Sequence, residues 1–101
     1  MKKASKFKCF LIFKSGDNDE AIFVKLPIEY DENKEYDCYL INHKKKTCTK
    51  TKMKFPYDKY LTCQTIYDNP SKDGYIAYPI SPSKWMDTLK YWKYTHEYIE
   101  K

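Results

Sequence analysis

Residues 6–14 read KFKCFLIFK, and their side chains alternate between the two faces of an extended chain. One face carries Phe7, Cys9, Leu11 and Phe13, and the other carries Lys8, Phe10, Ile12 and Lys14. Side chains that repeat with a period of two predict a β-strand. The next residues, SGDNDE at 15–20, are typical of a turn, so we expect a returning strand over residues 21–26. Pro27 then favours a strand end or a sheet edge.

Four further runs of β type follow along the chain and are rich in β-branched and aromatic residues. They occupy residues 36–43, 47–55, 60–67 and 75–80. Polar loops separate them, of which DENKE at 31–35 and DNPSKDG at 68–74 are the clearest. In the run at 47–55, Lys50, Lys52 and Lys54 occupy alternate positions and would project together from one side of a strand.

The last part of the chain predicts an amphipathic helix that begins at Pro82. Ser81 can cap its N-terminus, and proline suits the first helical position. A continuous stripe at helical spacing comprises Trp85, Leu89, Trp92, His96 and Ile99. We expect this stripe to pack against the sheet. A second stripe comprises Tyr91, Tyr94 and Tyr98, and it is compatible with the core, a dimer interface or a protein docking surface.

Together these elements predict an α+β fold in a single domain that spans residues 1–101. Five or six short strands without helices between them favour antiparallel pairing, in a small β-barrel or a strongly bent sheet. One C-terminal amphipathic helix would close an end or a face of this sheet. An OB-type barrel is an architectural analogy at most, because its helix usually lies between the third and fourth strands.

The composition argues against catalysis and against a cofactor or metal site. Two glycines are too few for a glycine-rich phosphate loop. The cysteines, Cys9, Cys38, Cys48 and Cys63, form no close-spaced pair of the kind that zinc sites and redox motifs need. We expect them to be reduced core side chains, since disulfides would require an oxidising compartment or a hyperthermophilic host. The prediction is a protein that is not an enzyme.

Neither a targeting peptide nor a membrane span is indicated. The apolar run at residues 9–13 is too short for a signal peptide, and no stretch approaches the roughly 20 apolar residues of a membrane helix. We therefore expect a cytoplasmic protein without a membrane partner. Residues with AT-rich codons (Lys, Tyr, Phe, Ile and Asn) make up roughly half of the chain, which suggests a phage or mobile element of a low-GC host.

Positive charge is carried by nineteen lysines and no arginine, and the formal net charge is +5. Lysine supplies point charges that suit phosphates, whereas the planar fork that reads guanine edges belongs to arginine. The charge is also segregated along the chain. Residues 17–37 hold eight acidic residues and two lysines, while residues 44–59 hold seven lysines and one aspartate. Such blocks are either solvated faces or a surface for phosphates.

Aromatic residues without an evident core role lie near the basic block, and the combination is typical of a groove for single-stranded nucleic acid. The predicted site comprises Lys44, Lys45, Lys46, Lys50, Lys52, Lys54, Tyr39, Phe55, Tyr57, Tyr60 and Tyr67. Lysines would neutralise the backbone, and each stacked base would contribute about 1–3 kcal/mol. The first hypothesis is an accessory protein that binds single-stranded DNA or RNA and supports DNA replication or repair.

The competing hypothesis is a protein-binding accessory or inhibitor that docks on a larger enzyme of replication or host defence and modulates it. The acidic segments at 17–20 and 29–37 could face a basic enzyme. The tyrosines of the second stripe, Tyr91, Tyr94 and Tyr98, are the candidate protein interface, because tyrosine is enriched where proteins meet.

Overall fold

The computed structural model describes residues 7–17, 19–65 and 67–101. The strands are β1 Phe7–Lys14, β2 Glu20–Pro27, β3 Tyr36–Asn42, β4 Thr47–Met53, β5 Tyr75–Ile80 and β6 Glu97–Glu100. The helices are α1 Tyr57–Tyr60 and α2 Pro82–Thr95. The α+β class and the strands β1 to β5 are therefore confirmed, with described ends that differ by at most two residues from those expected. Residue 6, where the first predicted strand begins, lies outside the described residues. Within the described part of the chain, no helix is long and apolar enough to cross a membrane.

All six strands form one sheet in the order β5-β1-β2-β3-β4-β6. Each neighbouring pair is antiparallel except β4 and β6, which are parallel. The sheet is open rather than closed into a barrel, with β5 and β6 at its two edges. The expectation of wholly antiparallel pairing is wrong at the β6 edge, because α2 carries the chain back across the sheet. A helix is the usual crossover between parallel strands.

The predicted strand at 60–67 does not form. Residues 57–60 are α1 instead, and the described residues that follow are turns and irregular backbone. Tyr60, Leu61 and Cys63 are all buried. Neighbouring side chains of a strand point to opposite faces, so burial of both Tyr60 and Leu61 suits a segment that lies on a sheet rather than one that extends it. Residue 66 lies outside the described residues.

The helix α2 begins as predicted and ends earlier than predicted. The Ser81 hydroxyl accepts a hydrogen bond from the Lys84 N–H at 3.4 Å, and Pro82 opens the helix. At the other end, His96 is extended, with φ −123° and ψ 157°. Consequently His96 and Ile99 do not continue the helical stripe, and Tyr98 belongs to β6 rather than to a stripe on α2.

One face of the sheet is covered by α2. Phe23 belongs to β2, one of the two central strands of the sheet. Its side chain is fully buried and lies between two tryptophans. The Trp85 ring stacks on it with centroids 5.0 Å apart, and the Trp92 ring meets it edge-on at 4.9 Å. Leu89 completes the contact. The expected packing of Trp85, Leu89 and Trp92 against the sheet is therefore confirmed.

The other face of the sheet is covered by α1 and the residues around it. Phe55, Tyr60 and Leu61 form a core there with Phe10 and Leu26, among others. This segment is short, and it covers the end of the sheet where β4 finishes. All four cysteines are buried free thiols, as expected of core side chains. Burial raises the pKa of the Cys38 thiol to about 12, so it stays protonated at neutral pH.

We expect Phe23→Ala to lower the free energy of unfolding by about 3–5 kcal/mol, because it removes a fully buried ring from between two others. Urea unfolding followed by tryptophan fluorescence measures this change. The control is Tyr94→Ala on the outer side of α2, where the side chain is 90% exposed and the change should stay within about 0.5 kcal/mol. A loss below about 1 kcal/mol for Phe23→Ala would contradict a core organised around this ring.

Candidate functional site

Among the described residues, no segment covers one half of one sheet face, and we call this half the open face. It lies on the α1 side, towards the β1–β2 and β3–β4 turns. Its side chains are those of Ile22, Leu40, Thr47, Thr49 and Ile99. Leu40 is 36% exposed although β3 is an inner strand of the sheet. Leu40 belongs to a row that runs across four strands through Ile22, Leu40, Thr49 and Ile99. A contiguous apolar patch of this kind marks a surface that another molecule can cover.

The open face forms the floor of a cleft of about 270 Å³. The floor includes Ile12, Ile22 and Leu40. The rim is polar and carries charges of both signs: Lys14, Asp17, Glu20, Asn42, Lys45 and Tyr75. A concave apolar surface with a few polar groups around it is the usual form of a binding site.

Hydrogen bonds between the two turns hold the rim of the cleft in place. The His43 N–H donates to the Asp19 carbonyl oxygen at 2.7 Å, which ties the β3–β4 turn to the β1–β2 turn. The Asn42 side chain donates to the Glu20 carboxylate at 3.4 Å, and its oxygen accepts from the Lys45 N–H at 2.8 Å. The rim is therefore a preformed part of the fold, which lowers the entropic cost of binding.

The six lysines of the predicted nucleic-acid site divide into two groups. Lys44, Lys45 and Lys46 lie in the turn beside the acidic β1–β2 turn. Lys50 and Lys52 lie on the α2 side of β4, and Lys54 comes directly after the strand, which ends at Met53. Sheet pairing places an acid beside each strand lysine: Glu100 next to Lys50, and Asp37 next to Lys52.

Some of the predicted residues do come together, on the α2 side of β3, β4 and β6. We call this group the lysine–tyrosine cluster: Tyr39, Lys50, Lys93 and Tyr98. The two tyrosine ring centroids are 6.5 Å apart, and the Lys93 Nζ lies 4.6 Å from the Tyr98 centroid and 5.5 Å from that of Tyr39. Such distances suit cation–π attraction. Tyr39 and Lys50 are register partners.

Burial raises the pKa of Tyr98 to about 12, and its hydrogen bond to Glu100 adds to the increase. The Tyr98 hydroxyl donates to the Glu100 carboxylate at 2.8 Å. Lys93 and Tyr98 were missing from the predicted nucleic-acid site. Lys93 lies one helical turn after Leu89, and this spacing could have indicated that it lies close to the sheet. Tyr98 could be assigned to the edge strand only by knowing that α2 ends at Thr95.

The four remaining aromatics of the predicted site do not join this cluster. Phe55 and Tyr60 are 0% and 5% exposed, so the expectation that they have no core role is wrong. Their rings pack against each other with centroids 5.7 Å apart and offer no face for a base. Tyr57 is exposed, but its backbone N–H donates to the Glu32 carboxylate, so it stands beside an acid. Tyr67 is exposed in the loop that precedes β5.

The predicted tyrosine stripe is reduced to two residues. Tyr91 and Tyr94 are exposed on the outer side of α2, and Met86 in the same helix is exposed as well. Tyr98 is half-buried on β6. The helix therefore presents a small mixed surface, to which Lys84 and Lys90 also contribute.

Two histidines that lie 53 positions apart in the sequence meet at one end of the sheet. The His43 Nδ1 is 3.2 Å from the His96 Nε2. The Thr95 hydroxyl donates to the Tyr91 carbonyl oxygen, so it accepts from the His96 Nδ1 at 2.8 Å. This assigns the proton of His96 to Nδ1 and makes His43 the donor between the rings. Burial, followed by the charges of His43 and Lys46, holds the pKa of His96 below its ordinary value.

The described residues hold no group of three or more His, Cys, Asp or Glu side chains with the arrangement of a metal site. No protein-family model, curated protein or solved structure matches this chain. The molecule is an α+β protein with an open mixed sheet, and what it binds has to follow from the chemistry of its own surface.

The lowered pKa of His96 makes the stability of the protein depend on pH. Protonation of His96 is less favourable in the folded protein than in the unfolded chain, so its contribution to stability is present above about pH 6.5 and is lost as the pH falls. We expect the Tm to fall between about pH 7 and pH 5, and to fall less in His96→Gln. Circular dichroism melts across this range measure the effect. Equal pH dependence in wild type and variant would rule out the histidine pair as its source.

Proposed function

We propose that this chain is a non-enzymatic accessory module that binds another protein through its open face. The observation that carries the proposal is the uncovered half of the sheet, where Leu40 is exposed at the middle of a preformed cleft. In this proposal the module docks on a larger protein and modulates it.

The floor of the cleft suits an apolar side chain of the partner. Ile22 and Leu40 would surround such a side chain, and Thr47 and Thr49 would contact it with their methyl groups. Full burial of a side chain the size of leucine contributes about 1.5–3 kcal/mol. Because the floor is a sheet and the rim is hydrogen-bonded, little of this free energy is lost in ordering the site.

The rim charges favour a polypeptide over a nucleic acid at this site. Lys14 and Lys45 could each pair with a carboxylate, but Asp17 and Glu20 would repel a chain of phosphates. A polypeptide can place charges of both signs around an apolar anchor. The partner segment is therefore expected to carry one bulky apolar side chain with charged residues on either side of it.

Selection from a phage-displayed library of random peptides tests this proposal. We expect the enriched peptides to share an apolar anchor flanked by charges and to bind the wild type with micromolar Kd in fluorescence anisotropy. Leu40→Glu places a charge on the floor and should weaken binding by about tenfold or more. The matched control, Tyr94→Glu, adds the same charge on the outer side of α2 and should bind as the wild type does.

Two results would contradict the proposal. One is a library that yields no peptide above background, and the other is a set of peptides whose affinity for Leu40→Glu equals that for the wild type. Circular dichroism melts of both variants separate loss of binding from loss of folding. We expect both variants to fold, because both substituted side chains are exposed.

A second candidate function, binding of single-stranded nucleic acid, is supported by the lysine–tyrosine cluster. Lys50 and Lys93 lie around Tyr39 and Tyr98, and Lys52 is exposed on the same side of β4. Lysines around aromatic rings suit a phosphate backbone with stacked bases. The neighbouring acids Asp37 and Glu100 reduce the local positive charge, which is why we rank this function second.

Anisotropy titration of a labelled single strand of about 20 nucleotides, at several salt concentrations, tests the second candidate. If the cluster binds phosphates, replacing Lys50, Lys52 and Lys54 by Gln should weaken binding and flatten its salt dependence. The control replaces the exposed Lys34, Lys72 and Lys84 by Gln, which changes the net charge equally at other places. Equal losses in the two triple variants would mean diffuse attraction and would remove the cluster as a site.

A further inference from the structure

The two edges of the sheet differ in how their main-chain groups are paired. At the β5 edge, the Ala77 N–H donates to the Cys63 carbonyl oxygen at 2.7 Å. The Tyr75 N–H donates to the Ser71 hydroxyl, and the Tyr75 carbonyl oxygen accepts from the Ser71 N–H. Pro79 has no N–H to offer. Hydrogen bonds to the preceding segment and the proline therefore leave this edge poorly suited to pair with another strand, as is common in native sheets.

The β6 edge carries outward main-chain groups instead. The Glu97 N–H donates to the Lys46 carbonyl oxygen at 2.8 Å, and the Lys101 N–H donates to that of Lys50 at 3.1 Å. In a β-strand, successive residues direct their N–H and C=O groups to opposite sides. Glu97, Ile99 and Lys101 therefore face β4, whereas Tyr98 and Glu100 direct theirs away from the sheet.

We propose that a second copy of this chain pairs with the β6 edge. The two β6 strands would run antiparallel about a two-fold axis at Ile99, and the two sheets would become one continuous sheet. Tyr98 of each copy would exchange both main-chain hydrogen bonds with Glu100 of the other. This register is allowed because both residues direct their main-chain groups outward.

The side chains of β6 complement one another in this register. Glu97 stands opposite Lys101 of the second copy, and the symmetry of the dimer repeats this pair. Tyr98 stands opposite Glu100, whose carboxylate already accepts from a tyrosine hydroxyl within each chain. Ile99 meets Ile99 on the axis. Opposite charges and apolar pairs directly across two strands stabilise their pairing.

The neighbouring registers that keep the same hydrogen-bond pattern fit less well. A shift in one direction places Glu100 opposite Glu100. A shift in the other direction places Tyr98 opposite Tyr98 and Glu97 opposite Ile99, and it loses both Glu97–Lys101 pairs. Like charges directly across a strand pair are destabilising. The charge pattern of β6 therefore favours the register centred on Ile99, and it would repel an acidic strand from another protein.

The dimer would not block the open face. Ile99 lies on that face next to Thr49, so pairing at Ile99 would join the two open faces side by side. The inference does not rest on the proposed function, because peptide binding at Leu40 requires only one chain.

Sedimentation velocity of charge-reversed variants tests the dimer. The wild type is expected to sediment at twice the mass of one chain at concentrations up to about 0.5 mM, a range that reveals weak association. In Glu97→Lys, lysines face each other at positions 97 and 101, and in Lys101→Glu, glutamates do. Because the symmetry repeats this like-charge pair, each variant should weaken self-association by about tenfold. Mixed in equal amounts, the two variants place opposite charges at both positions and should form a heterodimer. A variant that had failed to fold could not recover in this way.

Two substitutions of Glu100 test the main-chain hydrogen bonds between the two β6 strands. Glu100→Pro removes one outward N–H and leaves the hydrogen bonds between β4 and β6, whereas Glu100→Gln keeps the N–H. We expect the proline variant to be monomeric and the glutamine variant to retain dimerisation. A wild type that stays monomeric throughout, or variants that do not associate when mixed, would overturn the proposal. Equal association of the proline and glutamine variants would overturn it too, because the contact would then lie elsewhere.

Discussion

Trp85 stacks on Phe23 while Trp92 meets the same ring edge-on, and this contact of three rings fixes the position of α2. It places α2 across the inner strands of the sheet, with its C-terminal end near the β3–β4 turn, where His96 meets His43. The chain leaves the helix beside β4 and can only run parallel to it. Both the sixth strand and the open edge that it creates are consequences of where the helix lies.

The open face follows from a shortage of covering structure. Six strands at a spacing of about 4.8 Å extend over roughly 25–30 Å. A helix is about 10 Å in diameter, so the single long helix of 14 residues covers part of one face only. The opposite face has α1 and its neighbours, which bury Phe55, Tyr60 and Leu61 at one end and leave Leu40 exposed towards the other.

Charge is separated along the chain but mixed on the folded surface. Antiparallel pairing of β3 with β4 sets Asp37 beside Lys52, and the arrival of β6 sets Glu100 beside Lys50. The lysines of the β3–β4 turn stand next to the acids of the β1–β2 turn for the same reason. A run of like charges in a β-rich sequence is therefore a poor guide to a surface patch, because strand pairing brings together segments that are distant in the sequence. This mixing places the protein-binding proposal ahead of the nucleic-acid one.

Features that depend on local periodicity and local chemistry can be read from the amino-acid sequence. The alternation in β1 and β4, the places of β2, β3 and β5, the Ser81 cap, the Trp85–Leu89–Trp92 stripe and the burial of four cysteines could all be predicted, because each depends on residues close together in the chain. Three features depend on long-range contacts instead. Residues 60–65 cover the sheet, α2 ends at Thr95, and residues 97–100 pair with β4. Tyr60 and Ile99 have side chains that favour strands, but this preference is weak and tertiary packing overrides it. Their conformations were set by which distant segment was available to pack against them, and no local pattern encodes that choice.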